Sequence, residues 1–465
     1  MRVPQKVTTV LALAALTALG GALARTADAA TARPTVTIVP AAGWSDNTGR
    51  LVQAHGAGVI KVGSTWYMVG EDKTAGGKFT AVVCYSSPDL VSWTFVGNPL
   101  TRQASGDLGP NRIVERPKVI YNSTTHLYVM YTHIDAPGYG DARVGVATSS
   151  SPCGPYSYRG SFRPLGQISR DIGLFTDDDG TGYLLTEDRA NGLRIDRLSA
   201  DYLSVQSSVA VLTDLEAPAM VKVNGRYFVF GSHLTGWSTN DNEYATATSP
   251  SGPWSTFTTF APVGSHTFNS QTSTIIPVTG SAATSYVYVG DRWISSNLYD
   301  SAPIWLPLQI SGSTASLAWH DSWSLNVAAG TWTAQTADTT YEAEVAANTL
   351  AGGARVLACS ACLGGKKVGW VGNGGTVQFN RVTVPTAGRY TLKVRYANGD
   401  AADRYAEVSI NGGPARRMAF PPTGSGNAVK VSTLTVELAA GANTLKLANP
   451  TGWAPDIDAV AVPTP

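Results

Sequence analysis

Short apolar runs separated by Gly, Asn, Asp and Ser recur along the chain as far as about Val327. In each recurrence a polar residue opens a short strand, which is followed by a turn, a strand rich in Tyr, Val and Phe, a strand of small residues and a closing aromatic segment. Five copies can be superimposed, 60, 56, 45 and 55 positions apart by subtraction, on the opening residues His55, Glu115, Asp171, Glu216 and Gln271. Repeats of roughly 40 to 50 residues with several strands each are typical of propeller blades. The pattern predicts an all-β protein with a five-bladed β-propeller over residues 35–327.

The opening residues are the first candidates for function. In a propeller the first strand of each blade lines the central channel, so the five residues should meet in one pocket. A polar residue at the same repeat position in every copy is hard to explain by packing alone.

The pattern changes after Val327. Residues 328–340 are small and polar, and we predict a short linker there. From residue 341 to residue 465, apolar and polar positions alternate in short runs such as Thr376–Phe379 and Tyr390–Tyr396, with Asn-Gly turns between some of them. Such alternation is typical of half-buried strands, and about 125 residues suffice for one domain. We expect a β-sandwich (jelly-roll) domain over residues 341–465.

The first 29 residues resemble a secretory signal. Arg2 and Lys6 precede the apolar stretch Val10–Leu23, and Ala27-Asp28-Ala29 is a small-x-small cleavage site. The apolar stretch is shorter than the roughly 20 residues that span a bilayer. The mature protein is therefore expected to be secreted and extracellular, without a membrane segment.

Charge and cysteine content narrow the range of partners. The net charge is +1 and Lys and Arg form no cluster, which argues against nucleic acid as a partner. Four cysteines fit an oxidising compartment. Cys359 and Cys362 lie in a Gly-rich loop, where a small structural disulfide is expected, whereas the sequence leaves the pairing of Cys84 with Cys153 open.

Three of the opening residues are carboxylic acids, which glycosidic bond cleavage requires. Inverting hydrolysis uses a protonated acid at the leaving oxygen and a base roughly 6.5 to 9.5 Å away that activates water. Glu216 is the best candidate for the acid, because apolar neighbours and nearby carboxylates would raise its pKa. Asp171 would support that acid, and Arg116 would bind sugar hydroxyls.

A structural role competes with each of these assignments. A single Asp or Glu in a β-protein is more often solvated or paired than catalytic, but three at one repeat position favour a site. His55 is weaker evidence, since a His that opens a strand is as often a structural group as one that touches substrate.

Five motifs around the opening residues carry a resemblance to a known family. They are QAHGAG at Gln53–Gly58, VERPK at Val114–Lys118, RDI at Arg170–Ile172, LEAP at Leu215–Pro218 and NSQT at Asn269–Thr272. Together they resemble glycoside hydrolase family 43, and specifically its exo-β-1,3-galactanase subgroup, over about residues 35–327.

The resemblance implies roles for these residues. Most of family 43 opens its first blade with an aspartate base, whereas this sequence has His55, and that departure separates the galactanase subgroup from arabinofuranosidases and xylosidases. Glu216 would be the acid and Gln271 would position or activate water. Glu115 and Asp171 would bind substrate and tune the acid.

The role of Gln271 is open at this stage. A neutral amide is a poor base, and a positioned base normally contributes roughly 10² to 10⁴ in rate. Gln271 therefore acts through its imidic tautomer, or orients a water that Glu115 deprotonates, or only hydrogen-bonds a sugar.

The C-terminal region resembles family 35 carbohydrate-binding modules at YEAE (Tyr341–Glu344), VGWVG (Val368–Gly372) and PDID (Pro455–Asp458). Glu342, Glu344 and Asp458 would bring carboxylates of the first and last strands together, and such an oxygen-rich set suits a structural calcium ion. The alternative is that these acids are simply solvated. The candidates for sugar binding are Trp370, Asn398, Trp453 and Asp456, with core packing as the alternative for Trp370.

The resulting expectation is a monomeric, secreted, exo-acting galactan 1,3-β-galactosidase. It would release galactose from the β-1,3-galactan main chain of arabinogalactans with inversion, without a cofactor for catalysis. One alternative is another family 43 activity, such as α-L-arabinofuranosidase or β-xylosidase, against which the missing first-blade aspartate argues. The other is a propeller that binds sugars without cleaving them, which would have little use for three channel carboxylates.

Overall fold

The computed structural model describes Met1, residues 36–335 and residues 337–464. The predicted signal over residues 1–29 lies, apart from Met1, outside the described residues. Strands make up 54% of the chain and helices 4%, which confirms the all-β class. Residues 34–465 form one unit.

Five antiparallel sheets of four strands each, here sheets I to V, follow one another along residues 55–317. A short strand, β1 (Gly43–Trp44), precedes them. The strands are β2 (His55–Val62), β3 (Thr65–Glu71), β4 (Ala81–Ser87) and β5 (Thr94–Thr101) in sheet I; β6 (Ile113–Asn122), β7 (Leu127–Asp135), β8 (Arg143–Ser149) and β9 (Ser157–Phe162) in sheet II; β10 (Ile172–Thr176), β11 (Gly182–Asp188), β12 (Gly192–Leu198) and β13 (Val205–Val211) in sheet III; β14 (Glu216–Val223), β15 (Arg226–Ser232), β16 (Glu243–Ala247) and β17 (Thr258–Thr259) in sheet IV; and β18 (Gln271–Thr279), β19 (Thr284–Arg292), β20 (Ala302–Ser311) and β21 (Thr314–Leu317) in sheet V.

Buried apolar side chains join each sheet to the next. Five clusters contain side chains from sheets I and II, II and III, III and IV, IV and V, and V and I. The first strands β2, β6, β10, β14 and β18 contact one another in the same cyclic order. The fold is propeller-like, and the first strands bring the opening residues toward a common centre.

Irregular pairing re-aims the opening residues of three sheets. The ladder shifts immediately after His55, Glu115 and Glu216, and such a bulge bends the strand and redirects a side chain. The next residue has a φ of +56° at Gly56, +51° at Arg116 and +55° at Ala217. Position 56 requires glycine, because a Cβ there would lie 2.3 Å from Glu71 Oε1. Arg116 and Ala217 hold the left-handed conformation at a cost of roughly 1–2 kcal/mol each.

A hairpin and two larger sheets follow sheet V. The strands are β22 (Trp323–Asn326), β23 (Thr331–Ala334), β24 (Asp338–Glu342), β25 (Thr349–Ala351), β26 (Arg355–Ala358), β27 (Lys366–Gly369), β28 (Thr376–Val384), β29 (Gly388–Ala397), β30 (Arg404–Ile410), β31 (Arg416–Phe420), β32 (Lys430–Leu438), β33 (Gly441–Ala448) and β34 (Asp456–Pro463). One sheet has the order β1-β32-β29-β34-β27-β26, with β24 also paired to β34, and the other has the order β25-β28-β33-β30-β31. Both sheets contribute to one buried core, so this region is a C-terminal β domain. The predicted linker, residues 328–340, contains β23 and the start of β24, and the domain boundaries stay predictions.

The segment before sheet I crosses to the C-terminal β domain. Strand β1 pairs in parallel with β32. The Thr37 N–H donates to Thr391 Oγ1 at 2.8 Å, and the Thr391 hydroxyl donates to the Thr37 carbonyl at 3.2 Å. Trp44 packs edge-on against Trp305 of sheet V, with ring centroids 5.3 Å apart. This segment therefore ties the β domain to sheet V.

Two disulfides and a few helical turns complete the description. Cys359 is bonded to Cys362, which confirms the prediction, and Cys84 of β4 is bonded to Cys153. The helical elements are the four-residue α1 (His266–Asn269) and 3₁₀ turns at Gly106–Leu108, Pro164–Gly166, Leu298–Asp300 and Leu363–Gly365. Within the ranges described above, no helix has the length and apolar content needed to cross a bilayer.

Candidate active site

A cavity of about 220 Å³ lies where the first strands converge. This is below the roughly 300–1,000 Å³ of pockets for drug-sized ligands, so the cavity suits one small polar ligand. Its lining residues are Glu71, Glu115, Arg116, His133, Tyr139, Arg170, Asp171, Glu187, Arg189, Glu216, Gly236, Trp237, Gln271 and Trp293.

Glu216 is buried at the start of β14 and is held by three donors. Its Oε1 accepts the Gly236 N–H and the Gln271 Nε2–H, each at 3.0 Å, and its Oε2 accepts from Arg189 Nη2 at 3.0 Å. Burial, and after it the negative charges of Asp171 and Glu187, raise the pKa of Glu216 to about 8, although nearby arginines oppose the shift. The raised pKa favours the protonated form of this side chain near neutral pH.

Two further carboxylates crowd Glu216. Oxygen atoms of Asp171, Glu187 and Glu216 lie within 4.8 Å of one another. Asp171 Oδ2 pairs with Arg116 Nε at 3.1 Å and accepts the Ala217 N–H at 3.1 Å. Burial and then the charge of Asp171 raise the pKa of Glu187, although its ion pair with Arg189 acts in the opposite direction. Three acids at this spacing favour a protonated form of one of them.

Gln271 lies beside the acid with a fixed amide orientation. Its Nε2–H donates to Glu216, and its Oε1 accepts from Trp293 Nε1 at 2.9 Å and from Arg116 Nη2. Both lone pairs of the amide oxygen are therefore occupied. One Nε2–H remains available for a ligand or a water.

Glu115 is an ionised carboxylate of the cavity. Burial alone would raise its pKa, but Lys73, His133 and Arg116 outweigh burial and lower the pKa of Glu115 to about 2. Lys73 Nζ lies 3.5 Å from Oε1, His133 Nδ1 lies 3.4 Å from Oε2, and the Tyr139 hydroxyl donates to Oε1 at 3.2 Å. Glu115 is therefore ionised at neutral pH, in contrast to Glu216, and its low pKa makes it a weak base.

An aromatic wall and a buried ion pair close one side of the cavity. The Trp237 and Trp293 rings meet edge to face at 4.9 Å. Lys73 Nζ lies 5.6 and 5.9 Å from their centroids and pairs with Glu71 Oε2 at 2.5 Å. Indole faces with carboxylates nearby are typical of sites that bind the apolar and hydroxyl faces of a sugar.

Two residues that were predicted to bind substrate, Arg116 and His55, contact other residues of the protein in the structure. The Arg116 guanidinium contacts Asp171, Gln271 and the Thr272 carbonyl, so its nitrogens connect elements of the site to one another. His55 does not line the cavity. Its Nδ1 lies 3.2 Å from Asp291 Oδ1 and its Nε2 lies 3.2 Å from Gln53 Oε1.

Of the four predicted sugar-binding residues of the C-terminal β domain, three are at least partly exposed and one is buried. Trp370 and Trp453 are 47% and 42% exposed and meet edge to face at 5.5 Å. Asp456 pairs with Lys367 at 2.7 Å. Asn398 is fully buried and its Nδ2 donates to two main-chain carbonyls, so the structure places it inside a loop and not on a sugar-binding surface.

Glu342, Glu344 and Asp458 lie around the 3₁₀ turn at Gly364. A Cβ on Gly364 would lie 2.4 Å from Glu342 Oε2 and 2.9 Å from Glu344 Oε1. Burial, then Glu342 and Asp458, raise the pKa of Glu344, whose Oε2 is buried and accepts no hydrogen bond from the described residues. Arg395 Nε pairs with Asp458 Oδ2 at 2.5 Å.

Several cavity residues were not predicted from the sequence. Glu187 lies at the end of a second strand, and Tyr139, Arg189, Trp237 and Trp293 lie on loops that follow second strands. The repeat pattern identifies positions at the start of first strands only. The sequence could have indicated these residues, because second strands end at the edge of each sheet where first strands begin. The pairing of Glu115 with His133 and of Gln271 with Asp291 shows this.

Comparisons with known proteins match both parts of the chain. The family model "Glycosyl hydrolases family 43" matches residues 53–298, and the model "Alpha-galactosidase, CBM13 domain" matches residues 376–462. A family 35 carbohydrate-binding module from Clostridium thermocellum is 39% identical over 27% of this chain and 98% of its own length, with a TM-score of 0.26. The match of residues 376–462 to the CBM13 domain model makes the C-terminal β domain similar to a carbohydrate-binding module.

Curated relatives match shorter stretches. A β-D-galactofuranosidase of Aspergillus niger is 29% identical over 192 residues, 37% of this chain and 54% of its own length. An exo-β-D-glucosaminidase of Amycolatopsis orientalis is 40% identical over 91 residues, 19% of this chain and 9% of its own length. The chain thus spans about half or less of the length of these two relatives.

Solved structures match most of the chain. An exo-β-1,3-galactanase from Phanerochaete chrysosporium, crystallised with galactose, is 41% identical over 92% of this chain and 100% of its own length, with a TM-score of 0.64. An exo-β-1,3-galactanase from Clostridium thermocellum is 26% identical over 90% of this chain and 99% of its own, with a TM-score of 0.61. Since the family model covers more than half of the chain and includes every cavity carboxylate, this protein belongs to glycosyl hydrolase family 43.

Proposed function

We propose that this glycoside hydrolase is an exo-acting galactan 1,3-β-galactosidase. It releases galactose from the non-reducing end of the β-1,3-galactan main chain of arabinogalactans with inversion. The observation that supports this most is Glu216, kept protonated in a cavity of one-sugar size. The resemblance to exo-β-1,3-galactanases over nine-tenths of the chain supports the choice of sugar.

Glu216 donates its proton to the leaving oxygen from Oε2. Each carboxylate oxygen has about two lone-pair sites. Both sites on Oε1 are occupied by Gly236 and Gln271, whereas Oε2 accepts, among the residues that the structure describes, only from Arg189. The proton therefore resides on Oε2, and the negative charge left after transfer is stabilised by Arg189 and the two donors on Oε1.

Gln271 positions the attacking water, and Glu115 takes its proton. The imidic tautomer of Gln271 needs a proton on Oε1, where the N–H groups of Trp293 and Arg116 already donate. The amide form is therefore favoured, and its free Nε2–H can hold a water oxygen. Glu115 is ionised at any pH above its pKa of about 2. A carboxylate with so low a pKa is a weak base, so its contribution is smaller than the roughly 10² to 10⁴ in rate of a base whose pKa is near the working pH.

The test is to incubate the purified protein with debranched β-1,3-galactan and follow the anomeric protons of the products by NMR. Early α-galactose as the dominant product is the expected result. Arabinose released from arabinan instead would replace the proposed substrate with another family 43 activity. Binding without release from either polysaccharide would indicate a non-catalytic sugar-binding propeller.

We propose a five-bladed propeller over residues 35–327, a linker over 328–340 and a sandwich-type sugar-binding module over 341–465. The five four-stranded sheets and the cyclic contacts of their first strands support the blade number. The exposed pair Trp370 and Trp453 supports sugar binding by the module, since stacking on indole faces suits pyranose rings. Titration of the Glu216→Gln protein with galactan, compared with the same protein carrying Trp453→Ala, tests this.

We also propose a structural calcium ion held by Glu342, Glu344 and Asp458. Glu342 and Glu344 beside Gly364, together with the raised pKa of Glu344 and its unused buried oxygen, fit a hard cation with oxygen ligands. Asp458, which pairs with Arg395 in the structure, would join them by releasing that arginine. The ion would neutralise the mutual repulsion of these acids. The melting temperature should fall when EDTA is added and recover with Ca²⁺, and Glu344→Gln should remove that response.

We propose that the mature protein is a secreted monomer. The charged start, short apolar stretch and small-x-small site within residues 1–29 support secretion. N-terminal sequencing of protein from the culture medium should give a start at Ala30, and light scattering should give the mass of one chain.

A further inference from the structure

One short loop joins the cavity to the C-terminal β domain. It comprises residues 293–301, between β19 and β20. At its start, Trp293 lines the cavity and donates Nε1–H to Gln271 Oε1 at 2.9 Å. Near its end, the Tyr299 hydroxyl donates to Oδ2 of Asp403, which lies between β29 and β30 of the β domain.

Internal hydrogen bonds give this loop a defined shape. The Ile294 N–H donates to Ser301 Oγ at 3.1 Å, which closes the loop across its ends. The Asn297 N–H donates to the Ile294 carbonyl at 2.9 Å, and Asn297 Nδ2 donates to Asp300 Oδ2 at 2.9 Å. Leu298 is buried. Tyr299 and Trp293 therefore belong to one hydrogen-bonded loop.

A second chain of contacts runs from Tyr299 through residues that do not line the cavity. The Tyr299 carbonyl accepts from Gln53 Nε2 at 3.0 Å, and Gln53 Oε1 lies 3.2 Å from His55 Nε2. His55 Nδ1 lies 3.2 Å from Asp291 Oδ1, two residues before Trp293, and the His55 and Trp293 rings are 5.7 Å apart. The buried His55 thus gains a structural role as a link between Tyr299 and the base of the Trp293 loop.

The contact between Tyr299 and Asp403 is partly shielded from water. Both residues are partly buried. Burial raises the pKa of Asp403, and the hydrogen bonds from Tyr299 and Tyr405 and the charge of Lys430 lower it in part. A hydrogen bond to a carboxylate away from bulk water is stronger than one at the surface.

We propose that Tyr299 and Asp403 are positioning residues for hydrolysis. Through their hydrogen bond the C-terminal β domain holds loop 293–301, and with it Trp293 and Gln271, in the geometry that the attacking water requires. This inference rests on the proposed function of the same cavity. It assigns the β domain a task in the chemical step in addition to sugar binding.

The test uses the full chain and β-1,3-galactobiose, with Tyr299→Phe, Asp403→Ala and the double variant. The expected result is a fall in kcat of about tenfold in each, with KM changed less than about twofold, because small misplacements of a positioned group act on the chemical step. The double variant should be no slower than either single one. Asp403→Asn keeps an acceptor for the Tyr299 hydroxyl and should retain most of kcat.

The matched control is Arg389→Met, which removes the ion pair of Arg389 with Asp89 at 3.2 Å, another contact between the β domain and sheet I. It should leave kcat unchanged. Hydrogen exchange of the 291–301 peptide should accelerate in Tyr299→Phe and Asp403→Ala, but not in Arg389→Met. Circular dichroism melting confirms that each variant is folded.

Additive losses, or an unchanged kcat in folded Tyr299→Phe, would overturn the inference. Unchanged exchange of the 291–301 peptide would overturn it as well. If the unaltered protein released no galactose, the proposed function would fail, while the exchange experiment would still decide whether the β domain holds the loop.

Discussion

Replacing Asp171 by asparagine should shift the alkaline limit of hydrolysis to lower pH. A general acid works only while protonated, so activity falls as the pH rises through its pKa. The pKa of Glu216 is raised to about 8 by burial first and by Asp171 next. Asp171→Asn removes the negative charge and keeps the side-chain shape.

The size of the shift follows from the geometry. Two unit charges 4.8 Å apart, the largest separation within this carboxylate group, repel by ~3.5 kcal/mol at an effective dielectric constant of about 20. That energy corresponds to ~2.5 pKa units. Arg116 Nε lies 3.1 Å from Asp171 Oδ2 and cancels part of the field, so we expect a shift of about one unit.

The assay is the pH dependence of kcat/KM for β-1,3-galactobiose, fitted for the alkaline limb. The control is Asp178→Asn, which removes a carboxylate from the same sheet at a side chain that is 85% exposed and outside the cavity. The control should leave the limb in place. If the alkaline limb of the pH profile is unchanged in Asp171→Asn, or lies at higher pH, Asp171 does not keep Glu216 protonated.

Three further predictions follow from the same contacts. Glu216→Gln should lower kcat by about 10² to 10⁴ while galactotriose binding, measured by calorimetry, is retained; a loss of binding with unchanged turnover would contradict the acid role. Trp293→Phe removes the N–H on Gln271 Oε1 and should lower kcat about tenfold with little change in KM, and an effect confined to KM would instead indicate a stacking role. Replacing Cys84 and Cys153 by serine opens a cross-link between residues 69 apart and should lower the free energy of unfolding in urea by about 4 kcal/mol, whereas an unchanged midpoint would refute this contribution.

The repeat pattern was sufficient to predict that four of the five opening residues lie at one cavity. Glu115, Asp171, Glu216 and Gln271 occupy the same place in successive repeats, and all four line the cavity. Residues at the same repeat position lie close together because first strands of neighbouring sheets contact one another. His55 occupies the same register, but its ring contacts Asp291 and Gln53 and does not line the cavity. Register fixes the position of a strand end and not the choice of side-chain partner.

The residues that sequence reasoning missed lie outside that register. Trp237 and Trp293 come from loops of different lengths, and their meeting at 4.9 Å depends on how two sheets pack. Arg116 was expected to bind sugar, but a left-handed backbone with a φ of +51° places its guanidinium between Asp171 and Gln271. In the β domain, Asn398 was expected to be exposed on a sugar-binding surface, but it is buried in a loop.

The pairing of β1 with β32 has a consequence for biosynthesis and for protein engineering. Gly43 and Trp44 leave the ribosome long before Ser432 and Thr433, their partners in the sheet, so this edge can be completed only after nearly the whole chain has been made. Contacts so distant in sequence form slowly, and until then β32 remains an open edge that can pair with other chains. A C-terminal β domain grafted onto another enzyme would keep that open edge unless the segment around β1 were transplanted with it.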